Sequence, residues 1–138
     1  MIGSSDSNGA NDKGKLHVTY LGNHFQDVFS RGPLVRFGTV HIVNNLYENM
    51  IDSGINTRMG AQVFVQSTAF VGSAERAVFS DRSAELGYAV LDDVDLGGSE
   101  NSAPEGTLSA DSFPYESIPV LGSTAVASTI PGLAGQKL

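Results

Sequence analysis

The segment SRGPLVRFG, residues 30–38, carries Arg31 and Arg36 on either side of Pro33. A guanidinium is a planar, charged fork that matches a carboxylate or phosphate, so a fixed pair of them suits an anionic ligand. Side chains five apart do not share a helix face, and proline interrupts a helix interior. The pair is therefore expected on a turn leading into a strand from Leu34 to Val43. A turn with two solvated charges would show the same pattern. The surrounding sequence has to distinguish the two.

Other residues invite chemistry less well. His17, His24 and His41 lack the spacing of metal ligands, and structural or surface roles are expected, with His17 and His41 facing outward. Asp92, Asp93 and Asp95 lie in DDVDLGG, which lacks the full EF-hand pattern, so they read as solvated acids. Gly14-Lys15 is not part of a phosphate-binding loop. There are no cysteines, which excludes disulfides, thiolate metal sites and a thiol nucleophile.

The chain has 138 residues, enough for one domain with a real core. Its net charge of −7 is unevenly spread. Residues 1–60 hold five basic and five acidic side chains, whereas residues 61–138 hold three and ten. No basic stripe exists to neutralise phosphates, so nucleic acid is not an expected partner. An anionic ligand should prefer the arginine-bearing first half. No apolar run is long enough to span a membrane. Met1 to Asp12 is polar and glycine-rich, without the pattern of a secretory leader.

Positioning such arginines falls to short alternating segments: KLHVTYLGNHF (15–25), TVHIVNNLYEN (39–49), AQVFVQSTAF (61–70) and GYAVLDDVDL (87–96). Val18, Tyr20, Asn23 and Phe25 align on Val40, Ile42, Asn45 and Tyr47 at an offset of 22, and these on Val63, Val65, Thr68 and Phe70 at 23. The fourth segment needs a slip to 26. No segment can bury its own apolar face, so stacked coils must supply the core. In a parallel β-helix Val18, Val40 and Val63 form one interior column, Phe25, Tyr47 and Phe70 a second, and Asn23 and Asn45 meet at one turn. A hairpin sandwich is disfavoured because no Asn-Gly or Asp-Gly turn joins the segments. The stretch 73–86 reads equally as a short helix or an irregular loop. The expected organisation is one domain, with a loop over 1–14, coils over 15–96 and a covering tail over 97–138.

The stretch from GSSDSNGANDKGKLHVTYLGNHF through SRGPLVRFGTVHIVNN, with SGINTRMGAQVFVQ and the ending GLAGQKL, resembles the pectate lyases of the right-handed parallel β-helix type, polysaccharide lyase family 1, in their fungal branch. The Arg-x-Pro-x-x-Arg element followed by Phe-Gly is the specific part. The resemblance implies an extracellular parent enzyme that cleaves polygalacturonate in pectin by calcium-dependent β-elimination. It implies that Arg31 is the base that takes the C5 proton and that Arg36 binds the substrate carboxylate. Arg58, in INTRMGAQ, and Ser4 match further substrate-contacting positions. Family members are longer, and the resemblance places their calcium carboxylates and a groove lysine upstream of Met1. It follows that no metal ligand is expected within these residues, and that they alone are not expected to be active.

An arginine base needs its charged form disfavoured, by neighbouring cations and by burial against a bound polymer. Two alternatives stand beside this reading. A pectin lyase acting on methyl-esterified substrate is disfavoured by the absence of tryptophan. A non-catalytic, oligogalacturonate-binding remnant would keep the fold without the chemistry.

Overall fold

Alternating apolar residues in short runs favour pleated strands with one buried face, and ten strands form among the described residues. The computed structural model describes residues 1–136. The strands are β1 (His17–Leu21), β2 (His24–Gln26), β3 (Leu34–Arg36), β4 (Thr39–Val43), β5 (Leu46–Glu48), β6 (Ile55–Arg58), β7 (Gln62–Val71), β8 (Arg76–Phe79), β9 (Tyr88–Asp95) and β10 (Glu100–Asn101). A 3-10 turn at Asp6–Asn8 and one helical turn, α1 (Gly9–Asp12), precede them; a 3-10 turn at Ala110–Ser112 and helix α2 (Ser123–Leu133) follow.

Every strand pair is parallel, and the chain winds into a β-solenoid of about four turns. One sheet stacks β1, β4, β7 and β9, with β2 and β5 alongside the second half of β7. The other runs β3-β6-β8-β10. Val18 pairs Val40, Val40 pairs Val63, and Val63 pairs Ala89, so the offsets of 22, 23 and 26 are those of successive coils.

The interior columns form as expected. Val40, Ile42, Val63, Val65 and Tyr47 are fully buried, and each large aliphatic side chain so buried contributes roughly 1.5–3 kcal/mol. Phe25, Tyr47 and Phe70 stack with centroids 4.8 and 4.6 Å apart and their ring planes nearly parallel. Asn23 donates its backbone and side-chain N–H to Asn45 Oδ1, at 2.8 and 2.9 Å. Asn45 in turn donates to the carbonyls of Tyr20 and Val43. That ladder satisfies backbone groups at a turn where sheet pairing lapses.

Several expectations are corrected. The strand foreseen from Leu34 to Val43 is two strands on different sheets, because the chain corners at Phe37, whose φ is 61°, and Gly38. A Cβ at Gly38 would crowd the Leu16 carbonyl and the side chains of Ile2 and Val35. The stretch 73–86, read as helix or loop, contains strand β8, which supplies the third coil with its second face. Coil pairing also runs beyond residues 15–96 at both ends: Ile2 bridges Val35, and β10 pairs β8. The tail is less irregular than expected. It ends in α2, whose buried Val126 and Ile130 pack on Leu46 and Ala69.

The tail covers the outer face of the first sheet. His41 is outward-facing as expected, yet buried, stacked on Phe113 at 4.5 Å. Gln66 Nε2 donates to Asp92, which leaves its Oε1 to accept from His41 Nε2 at 3.2 Å. His41 Nδ1 is then the acceptor for the Tyr115 hydroxyl at 2.9 Å. Desolvation by burial lowers the His41 pKa below the ordinary histidine value. Asp93 is exposed but not merely solvated: it accepts from the backbone N–H and the hydroxyl of Ser123, tying down the start of α2.

Candidate functional site

Side chains alternate across a strand, so Leu34 and Arg36 on β3 share the outer face of the second sheet with Asn56 and Arg58 on β6. The parallel register sets Arg36 directly beside Arg58, about 4.8 Å apart at the backbone. The offset of one coil thus turns two distant arginines into one rung. Phe79 on β8 continues the face, opposite Asn56.

Beside this rung lies a cleft of about 520 Å³, lined by Arg31, Leu34, Asn56, Arg58, Arg76 and Arg82, with Phe29, Ser30, Asp52, Ser53 and Phe79. Arg31 enters from the turn, as expected. It is exposed, has φ 62°, and places Nη1 3.5 Å from Met1 Sδ. Positive φ in non-glycine residues clusters at functional sites. Among the described residues it recurs at eight other non-glycine positions, most of them tight corners between coils, so it does not single out Arg31.

Arg58 is half-buried, and its Nε is fully enclosed without a hydrogen-bond partner among the described residues. Burial, then neighbouring Arg36, pulls its pKa below the usual arginine range. Asp6 acts in the opposite sense. A desolvated donor of this kind gains most from an incoming anion.

Arg36 has its own partners. Its Nε donates to Asp6 Oδ1 at 2.5 Å, its Nη1 approaches the Gly3 carbonyl at 3.4 Å, and it does not line the cleft. Asp6 Oδ2 accepts from the Ser83 hydroxyl. The Ser83 hydrogen bond, then that from Arg36, lowers the Asp6 pKa below the ordinary carboxylate value. Ser4 is exposed near Gly3 and lies outside the cleft lining. The structure therefore joins Arg31 and Arg58 in the cleft, sets Arg36 beside Arg58 on the same rung but outside the cleft lining, and leaves Ser4 apart.

Two cleft arginines were missed in the sequence. Arg76 packs over the Phe79 ring at 4.7 Å and donates to Asp52 at 3.4 Å. Stepping from Arg31 by 22 and then 23 lands on Ser53 and Arg76, so the repeat itself held that signal. Arg82 sits on the loop after β8, outside the repeat, and nothing in its local sequence marks it.

Fold and site together define the class: an arginine-lined parallel β-helix protein whose cleft suits an anionic chain. The chain belongs to the pectate lyase family, whose profile matches residues 1–137. It is 58% identical over all 138 residues to pectate lyase plyB of Emericella nidulans, of which it covers 42%. Its fold matches pectate lyase II of Xanthomonas campestris with a TM-score of 0.78 at 32% identity, over 96% of this chain and 43% of that one. It also matches the pectate lyase Bsp165PelA of Bacillus sp. N165, solved in complex with trigalacturonate, with a TM-score of 0.69 at 28% identity, over 85% of this chain and 39% of that one. The chain thus spans less than half the length of these relatives.

Proposed function

We propose that this chain carries the arginine part of a pectate lyase site, which binds polygalacturonate and cleaves it by β-elimination in the complete enzyme. The observation that carries the reading is electrostatic. In a chain of net charge −7, four of the eight basic residues line one cleft, against one lining acid, Asp52, and Asp81, which pairs with Arg76 and Arg82 from outside the lining. Such a concentration of guanidiniums favours a polymer of carboxylates over a neutral or cationic ligand.

In this reading Arg31 takes the proton from C5 of a uronate. The C5–H electron pair becomes the C4–C5 double bond, the C4–O bond breaks, and the departing oxygen takes a proton from solvent. Arg58 and Arg36 hold the carboxylate on which negative charge develops, and Ser4 serves only as an outlying polar contact. Guanidiniums gathered in one cleft disfavour one another's charge, the effect already evident on Arg58.

Among the described residues no three or more His, Asp or Glu side chains are grouped to hold a metal ion. They do not fit a calcium site, and a calcium serving this cleft would bring its carboxylates from outside them. Among the same residues no helix is long and apolar enough to cross a membrane. The substrate class places the complete enzyme's work outside the cell, on wall pectin.

The test is Arg31→Lys in the complete enzyme. Loss of a proton-transfer group should lower kcat by roughly 100-fold or more, with circular dichroism unchanged. Unsaturated product is followed by ultraviolet absorbance, and a rate near that of the parent would remove Arg31 from the chemistry.

A further inference from the structure

Asp6 joins three parts of the chain that are far apart in sequence. It follows the first bridged residue, Ile2, and receives Arg36 from β3 and Ser83 from the loop after β8. Its two oxygens are used separately, one by the Arg36 Nε–H and the other by the Ser83 hydroxyl. Each contact leaves the other intact, so the carboxylate has both a charged partner and a neutral one that fixes its plane. The Arg36 side chain is only 14% exposed, against 35% for Asp6. With Nε committed to Asp6 and Nη1 leaning on the Gly3 carbonyl, Nη2 makes no hydrogen bond among the described residues.

We propose that Asp6, held by Ser83, is a positioning residue: it locks the Arg36 guanidinium beside Arg58 and leaves the Nη2 donors for a uronate carboxylate. The inference rests on the reading that this face binds polygalacturonate. Two features of the geometry support it. Arg36 and Arg58 occupy one rung of the sheet, and without an acid paired to Arg36 two guanidiniums so close would repel each other into different rotamers. Arg36 and Ser83 hold separate oxygens of Asp6, so the carboxylate cannot rotate without losing one of them. The Ser83 contact has a further consequence. The loop that carries it also carries Arg82 into the cleft, so the clamp couples the rung to the cleft wall.

A competing effect has the opposite sign. If Asp6 merely occupied the place of a substrate carboxylate, removing its charge would tighten binding rather than weaken it. The experiment separates the two in the complete enzyme, with trigalacturonate titrated by calorimetry and the Arg36 Nε–H followed by NMR. Asp6→Asn should weaken binding about tenfold, equivalent to ~1.4 kcal/mol, and should speed exchange of the Arg36 Nε–H. Ser83→Ala should shift both in the same direction by less. Asp6→Glu, which keeps the carboxylate, should recover part of the affinity. Unchanged or tighter binding in Asp6→Asn, with the parent chain binding normally, would overturn the proposal. Should Asp6→Asn fail to fold, Ser83→Ala carries the same comparison. If the parent chain does not bind trigalacturonate, the functional reading falls. The clamp is then judged by exchange alone, and a fast-exchanging Arg36 Nε–H in the parent would overturn it.

Discussion

Tyr47→Phe should make the protein more stable, against the usual direction of a core substitution. The Tyr47 ring is fully buried between Phe25 and Phe70, yet its hydroxyl has no hydrogen-bond partner among the described residues. An enclosed, unsatisfied polar atom costs roughly 1–3 kcal/mol, while the ring stack is unchanged in phenylalanine. Allowing for the dispersion contacts of the lost oxygen, the net gain is about 1 kcal/mol. In a chain of this size that raises Tm by roughly 2–4 °C. A second readout follows from ionisation. Burial pushes the Tyr47 pKa well above the ordinary phenol value. The unfolded chain therefore releases this proton first, and stability that is complete at neutral pH is lost as pH rises past about 10. Tyr47→Phe should extend the alkaline limb of the stability profile as well as raise the neutral plateau. Thermal and urea unfolding from pH 7 to 11 measure both. A variant destabilised by 1 kcal/mol or more, with an unchanged alkaline limb, would show that the hydroxyl is satisfied and the reasoning wrong.

Arg36→Ala in the complete enzyme should lose roughly 1.5–3 kcal/mol of transition-state stabilisation, read as a fall in kcat/KM; unchanged kinetics would take Arg36 out of the site. His41 has a depressed pKa in the fold, so the unfolded chain binds its proton more readily. Stability is then complete above about pH 6.5 and declines as pH falls below it; His41→Gln should flatten that decline, and an identical pH profile would contradict the assignment. Asp93→Ala should loosen α2, since Asp93 receives two hydrogen bonds from Ser123. Amide exchange confined to α2 should quicken. Because those bonds lower the Asp93 pKa, acid below about pH 4 should loosen α2 in the parent chain too; exchange in α2 that stays unchanged in the variant would remove Asp93 as its anchor.

Much of the solenoid was legible in the sequence, because a repeat fixes it. Residues separated by one coil meet in register whatever lies between them, so the offsets of 22, 23 and 26 named the columns of Val40 and Tyr47 and the Asn23–Asn45 ladder. The same arithmetic contained the Arg36–Arg58 rung and the position of Arg76. Arg31 was legible as the occupant of a turn through Pro33. The corner at Phe37 was not, since apolar and β-branched residues lie on both sides of Phe37-Gly38, and that glycine is required only by the close approach of Ile2, Leu16 and Val35. Helix α2 was hidden too: its weak local pattern is stabilised by Leu46, Ala69 and the Asp93 carboxylate, none of them nearby in sequence. The meeting of Asp6, Arg36 and Ser83 belongs wholly to the tertiary structure. Its members share no repeat position, and a hydrogen bond spanning 77 residues leaves no periodic trace in the chain that forms it.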